Sequence, residues 1–328
     1  MMKIIIDGFG GDFAPQKVIE GSKLALSEFD DIEIIVTGKK SVLQKQAQEL
    51  RMNPNRIKFV HAVDVIEMDD DPMVIRKEKS DSSMAVGFDL LKKNEGDAFV
   101  SGGNTGALAI GATILTGRIK GVSRVALAPI MPSETGCFIL LDAGANIECR
   151  PEMLLQFGIM GSIYMQKIIG IENPAVGLVN IGTEDGKGTS LQIEANKLLQ
   201  DAPINFKGNI EARGIPRGEC EVVVADGFTG NIILKLEEGM GGFFNDTLKS
   251  MFTKSLKSKF AAMLMMGQLK EFKKKMDYKE YGGAPFLGSA KPVIKAHGSS
   301  DEKAFFNAIR QARLFVKQNV IQEIKNNL

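Results

Sequence analysis

At residues 180–189 the chain reads Asn-Ile-Gly-Thr-Glu-Asp-Gly-Lys-Gly-Thr, between two segments of different periodicity. The apolar run at 175–179 is typical of a buried parallel strand, and the amphipathic segment at 190–200 is typical of a helix. A glycine-rich turn between a strand and a helix exposes unpaired backbone N–H groups, which can bind an anion. The stretch therefore predicts a strand–turn–helix unit of an α/β fold, with an anion site at its turn.

The details of this turn favour a single phosphate over a nucleotide. Gly182, Gly186 and Gly188 would let the backbone approach a ligand closely, and Lys187 adds a positive charge. A nucleotide P-loop needs four residues between its first glycine and its Gly-Lys pair and then a Ser or Thr, whereas here three residues intervene and Gly188 follows the lysine. Asp185, which we also expect to contact substrate together with the three glycines, would repel a polyphosphate. An ordinary glycine-rich turn remains the alternative interpretation.

Four further polar turns follow predicted strands, at residues 7–12, 101–106, 226–231 and 297–300. Ligands of open parallel sheets bind beyond the carboxyl ends of the strands, so turns that are distant in sequence can converge on one crevice. The residues in these turns that we expect to contact substrate are Asp7, Gly10, Gly103, Asn104, Thr105, Thr229, Asn231, His297 and Ser299.

Structural roles remain open for several of these residues. Asn104, Thr105, Thr229 and Asn231 stand near predicted helix starts, where helix capping alone would explain their residue types. The turn at 7–12 imitates a dinucleotide fingerprint, but Phe13 occupies the place of its third glycine. We therefore expect no dinucleotide cofactor.

His297 is the best candidate for a general acid or base. It follows the last predicted strand, at 292–296, and two serines come soon after it. Neutral imidazole titrates near physiological pH, which suits proton transfer. A structural, hydrogen-bonding histidine is an equally acceptable interpretation.

Composition limits the classes of protein that the chain can represent. It has 328 residues, of which 44% are hydrophobic and 25% charged, with a net charge of +1. These values are typical of a soluble globular protein and give no global attraction to nucleic acid. Its three cysteines and two histidines lack metal-ligand spacing, so we expect neither a metal nor a disulfide framework, and a cytoplasmic location. The apolar runs are too short for a signal peptide or a membrane span.

Two segments depart from simple strand–helix alternation. Apolar runs at 124–131 and 137–142 flank five residues that contain Pro132 and Gly136, which predicts a hairpin and hence a mixed sheet. Residues 240–281 are helical in composition, with a Met- and Phe-rich face beside many lysines. This pattern fits a helical hairpin on an anionic membrane surface or a dimer interface, and an ordinary core helix with a solvated side is the alternative. The membrane contacts that we expect are Leu256, Phe260, Met263, Leu264 and Met265.

Taken together, several stretches resemble the bacterial phosphate acyltransferases of phospholipid synthesis. Two departures are mild: that family usually has Ala-Met at Gly8-Phe9 and Ala at Gly103, and both exchanges keep small or apolar character. The matching stretches span nearly the whole chain in the order of the family and comprise residues 7–12, 101–106, 180–188, 226–231, 281–288 and 295–300.

The resemblance implies a three-layer α/β/α sandwich with a mostly parallel, mixed sheet, similar to phosphotransacetylases and to isocitrate and isopropylmalate dehydrogenases. It implies a single two-lobed catalytic domain over residues 1–328, a homodimer, and peripheral attachment to the inner face of the cell membrane. The implied reaction moves a fatty acyl group from acyl carrier protein to inorganic phosphate. The acyl-phosphate would then pass to a glycerol-3-phosphate acyltransferase.

Residue chemistry and turn position, rather than the resemblance, suggest the individual roles. Lys187 with the N–H groups of Gly186 and Gly188 would bind phosphate, and Asn104, Thr105 and Asn231 would position the phosphate or the carbonyl group. His297 would donate either a hydrogen bond to the oxyanion or a proton to the departing sulfur. The catalytic candidates are thus Lys187, Asn231 and His297. A short-chain acyl-coenzyme A:phosphate acyltransferase and a non-enzymatic membrane scaffold remain as alternatives.

Overall fold

The computed structural model describes residues 1–276 and 281–328. It is an α/β fold built on two mixed, mostly parallel sheets, which confirms the predicted fold class. Most strands are continuous apolar runs, as expected for strands covered on both faces. The strands are β1 (Met2–Asp7), β2 (Ile32–Gly38), β3 (Ile57–His61), β4 (Ala98–Ser101), β5 (Ala126–Leu127), β6 (Ile130–Ser133), β7 (Gly136–Leu141), β8 (Ala175–Asn180), β9 (Asn205–Glu211), β10 (Val222–Val224), β11 (Ala284–Leu287) and β12 (Val293–Lys295).

The strand order decides which turns become neighbours. The first sheet has the order β3-β2-β1-β4-β12-β11-β5, and the second has the order β6-β7-β10-β8-β9. β11 is antiparallel to both of its neighbours, and β6 and β7 form the predicted hairpin. The sheet is therefore mixed, as predicted, but its strands are divided between two sheets.

The chain crosses from the first sheet to the second at Pro129. The N–H of Ala128 donates to the carbonyl oxygen of Pro285 in β11, whereas the carbonyl oxygen of Pro129 accepts from Leu140 in β7. Proline has no N–H to continue pairing with β11, which favours a change of partner at this residue. The two sheets therefore adjoin at this stretch of chain, where the N–H of Ala143 after β7 also donates to the carbonyl oxygen of Leu127 in β5.

The helices cover the faces of both sheets. α1 and α10 approach closely because Gly21 has no side chain: a Cβ atom there would lie 2.5 Å from Cβ of Phe305. α5 packs against α6 and α11 beside the second sheet. The helices are α1 (Gln16–Glu28), α2 (Lys40–Glu49), α3 (Ser83–Lys92), α4 (Thr105–Ile110), α5 (Pro151–Tyr164), α6 (Ser190–Gln200), α7 (Gly227–Thr253), α8 (Leu256–Leu264), α9 (Met266–Met276), α10 (Glu302–Lys317) and α11 (Val320–Asn327).

The predicted helical insertion at 240–281 corresponds to the outer part of α7 together with α8 and α9. Its last part, residues 277–280, lies outside the described residues. α7 starts earlier than the insertion was predicted to, because Asp226 caps it directly after β10. Within the described residues, no helix combines the length and the apolar character that crossing a membrane would require.

Candidate active site

A cavity of about 690 Å³ lies where the two sheets meet. Its wall combines turns that follow strands of both sheets with one face of the inner part of α7. The lining residues are Asp12, Met68, Pro72, Thr105, Gly106, Ala109, Ile110, Leu127, Pro129, Ile130, Met131, Ala143, Gly144, Ala145, Asn231, Leu234, Lys235, Glu238, Gly282, Gly283, Ala284, Lys295, His297, Gly298 and Ser299. Much of this wall is apolar, and the ionisable side chains come mainly from α7 and from the end of β12.

Lys295 supplies a partly buried cation to the cavity. It is the last residue of β12, and its Nζ donates to the carbonyl oxygen of Ala296 at 3.0 Å. The pKa of Lys295 is lowered to about 8, chiefly by burial and also by the nearby charge of Lys235, while Asp12 acts in the opposite direction. An anion that enters beside this ammonium group would favour its protonated form.

Helix α7 brings two further ionisable groups to the same place. Lys235 and Glu238 are three residues apart and so lie on one helix face, where Nζ is 2.8 Å from Oε2. The other carboxylate oxygen of Glu238 lies 3.9 Å from Nε2 of His297. The carboxylate therefore stands between a lysine and a histidine.

Hydrogen bonds to Ser299 determine the tautomer of His297. The backbone N–H of Ser299 donates to Nδ1 of His297 at 3.2 Å, and the Ser299 hydroxyl lies 2.9 Å from the same nitrogen. Because Nδ1 accepts the backbone hydrogen bond, a neutral ring carries its proton on Nε2. The proton therefore lies on the nitrogen that is nearer to Glu238.

Asn231 is fixed against the turn that follows β7. Its Nδ2 donates to the carbonyl oxygen of Ala143 at 3.2 Å. Gly144 has a φ of +130°, and a Cβ atom there would lie 2.6 Å from Nδ2 of Asn231. The contact leaves no room for a side chain at position 144.

The buried Asp142 carboxylate shapes that turn. Oδ1 accepts backbone N–H groups from Leu127, Gly144 and Ala145, and Oδ2 accepts the N–H of Asn146 at 2.6 Å. Burial raises the pKa of Asp142, and these hydrogen bonds act in the opposite direction. The acid therefore fastens the turn to the end of β5 and indirectly holds Asn231.

Four of the predicted site residues come together in the cavity lining: Thr105, Asn231, His297 and Ser299. The other predicted residues lie outside the lining that the described residues form. Thr229 belongs to the cap of α7, because its N–H and its hydroxyl both donate to Asp226, at 2.9 and 2.8 Å. The capping interpretation is therefore confirmed for Thr229.

Asn104 is also a helix cap. Its Oδ1 accepts the N–H of Ala107 at 3.0 Å at the start of α4. Its Nδ2 lies within hydrogen-bonding distance of the carbonyl oxygens of Glu67, Met68 and Asp70. Asn104 is buried and holds the 67–70 segment at the edge of the cavity. Capping is confirmed, and a substrate contact stays a prediction.

Asp7, Gly10 and Gly103 form a buried junction between the first and second predicted turns. The hydroxyl of Ser101 donates to Oδ2 of Asp7 at 2.7 Å and accepts the N–H of Gly103 at 3.0 Å. A Cβ atom at Gly10 would lie 2.6 Å from both Oδ2 of Asp7 and Oγ of Ser101. Burial raises the pKa of Asp7. These residues therefore hold the turns at 7–12 and 101–106 together in the protein interior.

The glycine-rich loop at 180–189 lies outside the cavity lining, as far as the described residues define it. Gly182 is buried, whereas the segment at 183–189, which includes Asp185, Gly186 and Gly188, is exposed. Nζ of Lys187 lies 3.8 Å from Glu184. The cause is strand order: β10 separates β8 from β7, so the loop after β8 is one strand farther from the first sheet. A phosphate role for Lys187 stays a prediction, and it would act outside this cavity.

Lys295 and Glu238 are site residues that sequence reasoning did not select. A lysine that ends an apolar strand just before His297 was an available signal, because lysine is rarely buried without a reason. Lys235 and Glu238 stand four and seven residues after Asn231, which places all three on one helix face.

The outer helices expose a large apolar surface. The five predicted membrane-contact residues, Leu256, Phe260, Met263, Leu264 and Met265, have exposed fractions between 45% and 84%. Lysines at positions 254, 257 and 259 are exposed beside them. Apolar patches of this extent generally mark an interaction surface.

The sequence matches the family described as "fatty acid synthesis protein" over residues 2–323. It is 51% identical to a phosphate acyltransferase of Thermoanaerobacter pseudethanolicus over 327 residues, which cover 100% of this chain and 97% of that protein. It is 49% identical, with the same coverage, to a phosphate acyltransferase of Caldanaerobacter subterraneus.

Solved structures show the same fold at low sequence identity. A phosphotransacetylase from Streptococcus pyogenes has a TM-score of 0.64 and 18% identity, covering 96% of this chain and 94% of its own. A 4-hydroxythreonine-4-phosphate dehydrogenase from Burkholderia phymatum has a TM-score of 0.51 and 17% identity, covering 96% of this chain and 98% of its own. These similarities agree with the expected relation to phosphotransacetylase and dehydrogenase folds.

Proposed function

Because the chain belongs to the fatty acid synthesis protein family and is an enzyme of the phosphate acyltransferase class, we propose that it moves a fatty acyl group from an acyl-acyl-carrier-protein to inorganic phosphate. A phosphate oxygen attacks the thioester carbonyl carbon, the carbon–sulfur bond breaks, and the carrier leaves as a thiolate that takes up a proton. The products are an acyl-phosphate and the free carrier thiol.

The observation that carries this proposal is that the cavity lining combines two chemically different sets of side chains. Lys235, Lys295 and His297 are cationic or polar, whereas Leu127, Met131 and several alanines are apolar. A fatty acyl thioester needs an apolar channel, and its reaction with phosphate needs a cationic site at the reacting end. The lining of this one cavity offers both.

Phosphate binding falls to Lys295 and Lys235 in this proposal, in place of Lys187. Both ammonium groups belong to the same end of the cavity, and each lowers the cost of bringing a dianion out of water. Because phosphate is already anionic near neutral pH, the enzyme needs no strong base. Holding phosphate and thioester in contact supplies much of the rate enhancement.

Asn231 and His297 act on the thioester. The Asn231 amide, held by Ala143, lies in the cavity wall, where it donates to the developing oxyanion. His297 in its neutral form carries a proton on Nε2, and this N–H donates a hydrogen bond to the departing sulfur, which then takes up a proton from water. The carboxylate of Glu238, 3.9 Å from Nε2, orients the ring for this contact.

The exposed apolar surface of α7, α8 and α9 suggests where the product goes. We propose that this surface serves both a homodimer and a peripheral contact with the inner face of an anionic membrane. The exposed lysines beside Leu256 and Leu264 support contact with anionic lipid. Acyl-phosphate released there reaches a membrane-bound glycerol-3-phosphate acyltransferase. The same lysines also attract the acidic carrier protein.

The test is a donor and acceptor comparison with one purified preparation. We expect phosphate-dependent loss of the thioester from a long-chain acyl-carrier protein, with formation of acyl-phosphate and free thiol in equal amounts. Faster turnover of short-chain acyl-coenzyme A would identify the short-chain enzyme instead. Absence of any phosphate-dependent thioester loss would leave only a non-enzymatic role.

A further inference from the structure

Strand pairing gives the apolar wall of the cavity a definite order. Lys295 in β12 lies opposite Ala284 in β11, and the N–H of Ala128 donates to the carbonyl oxygen of Pro285 in β11 at 3.0 Å. Neighbouring strands lie about 4.8 Å apart, so the segment at 128–129 is roughly 10 Å from Lys295. The wall therefore runs from Lys295 across β11 toward the second sheet.

Met131 lies at the far end of this wall. It is two residues beyond Pro129, in β6, and it pairs with Phe138 of the second sheet. Alternate residues of a strand share one face, and Leu127 and Met131 belong to the same buried cluster as Leu234 of α7. Met131 is 3% exposed. Its side chain is therefore enclosed at the end of the wall opposite the lysine.

The neighbouring wall positions carry small side chains. Ala109, Ala143, Ala145 and Ala284 all line the cavity and leave open space between its polar end and β6. Met131 instead carries a long, unbranched and flexible side chain, of the kind that fills irregular gaps in apolar regions. Met131 is therefore a long, flexible side chain at the β6 end of the apolar wall.

We infer that Met131 sets the longest acyl chain that the enzyme accepts, by closing the apolar wall opposite Lys295. This inference rests on the proposed function, because it needs the thioester carbonyl to lie near the cationic end. A chain that reaches Met131 must displace its side chain, and a shorter chain leaves apolar space unfilled. Discrimination by one methylene in an apolar pocket is worth about tenfold or more in rate.

The test is the ratio of kcat/KM for long and short saturated acyl-carrier thioesters at saturating phosphate. Met131→Phe should lower the long-to-short ratio about tenfold or more, because the ring occupies the space that the end of the chain needs. Met131→Ala should raise the ratio, because it lengthens the apolar space. Met131→Leu keeps the volume and so preserves folding, and it should lower the ratio by a smaller factor because its branched side chain cannot straighten.

The matched control is Met160→Ala, since Met160 is equally buried but belongs to the other core cluster and lies outside the cavity lining formed by the described residues. Its ratio should equal that of the unaltered enzyme. Unchanged ratios in folded Met131→Phe and Met131→Leu, with phosphate-dependent turnover intact, would overturn the role of Met131. Lack of phosphate-dependent turnover in the unaltered enzyme would instead refute the proposed function.

Discussion

Oε1 of Glu238 lies 3.9 Å from Nε2 of His297, and this approach links helix α7 to the turn after β12 across the cavity. The two residues are 59 positions apart in the chain, and they meet because α7, which packs against β7 of the second sheet, approaches the turn after β12 of the first. Lys235 contacts the same carboxylate at 2.8 Å. The ionisable end of the cavity is therefore assembled from both sheets.

Replacing Lys295 with alanine should weaken the use of phosphate. Loss of a hydrogen bond or ion pair to a charged group costs about 1.5–3 kcal/mol, which corresponds to roughly a 10- to 100-fold loss in kcat/KM for phosphate. Initial rates at varied phosphate concentration measure this loss. Lys187→Ala is the matched control and should stay near the unaltered rate. An equal or larger loss for Lys187→Ala would show that phosphate binds at the 180–189 loop and not beside Lys295.

Alkaline pH should raise the KM for phosphate. Burial lowers the pKa of Lys295 to about 8, so its positive charge is present below that pH and is lost as the pH rises through it. Between pH 8 and the ordinary lysine value, the unfolded chain binds more protons than the folded one. The contribution of Lys295 to folding stability therefore increases with pH there, opposite to its effect on phosphate binding.

A KM profile for phosphate from pH 7 to 10, recorded together with thermal stability, separates these two effects. Lys295→Arg provides the comparison, because guanidinium stays protonated over this whole range. Its KM should rise less steeply with pH. Parallel profiles for both enzymes would show that another group controls phosphate binding.

Glu238→Gln should separate binding from turnover. Removing a negative charge from the cationic end should lower the KM for phosphate, because like charges repel. The same change should lower kcat by about tenfold or more, because the Nε2–H group of His297 loses the carboxylate that orients it toward the departing sulfur. Glu237→Gln is a matched control on the same helix, outside the cavity lining among the described residues. If both variants behave alike, Glu238 has no special role.

Gly144→Ala should impair activity by displacing Asn231. A Cβ atom at position 144 would lie 2.6 Å from Nδ2 of Asn231, and the φ of +130° strains any residue other than glycine. We expect a loss of about 1–3 kcal/mol in the free energy of unfolding, together with a lower kcat. Thermal or denaturant unfolding and steady-state rates measure both.

Gly136→Ala is the control for Gly144→Ala, because it measures the cost of backbone strain without a contact to Asn231. Gly136 has a φ of +147°, and a Cβ atom there would meet open space within the described parts of the chain. It should lose stability to a similar extent while keeping kcat. A comparable fall in kcat for Gly136→Ala would attribute the effect of Gly144→Ala to general destabilisation.

Leu264→Glu combined with Met265→Glu should release the protein from anionic vesicles. Both side chains are exposed on the outer helices, where they would insert among lipid chains, and two carboxylates would be repelled by anionic headgroups. Vesicle sedimentation measures the bound fraction, and light scattering measures the oligomeric state. Ile181→Glu is the control, because Ile181 is 81% exposed but lies on the 180–189 loop. Undiminished sedimentation of the double variant would refute the membrane contact.

Local features of the fold were predictable because they depend on neighbours in the chain. The strand before residue 180 and the helix after residue 189 appear as expected, as do the hairpin around Gly136 and the helices after Thr253. Apolar periodicity and capping chemistry decide such elements over a few residues. The helix caps at Asn104 and Asp226 also depend only on residues within three positions of each cap.

Which turns share the cavity could not be predicted in the same way. Asn231, His297, Thr105 and Ser299 were anticipated at the carboxyl ends of strands, and they do line one space. Lys187 has the more suggestive local sequence, yet β10 separates its strand from β7. Lys295 has no glycine-rich turn beside it comparable to that of Lys187, yet β12 ends at the cavity.

The amino-acid sequence by itself determined the α/β class, the polar turns and the helical outer segment, because each arises from short-range periodicity and from glycine or capping residues. Only the tertiary structure decided that the strands form two sheets and that Lys235, Glu238, Lys295 and His297 meet. Strand order depends on pairing between segments that are far apart in the chain. The hydrophobic pattern within one segment does not specify which other segments will lie beside it.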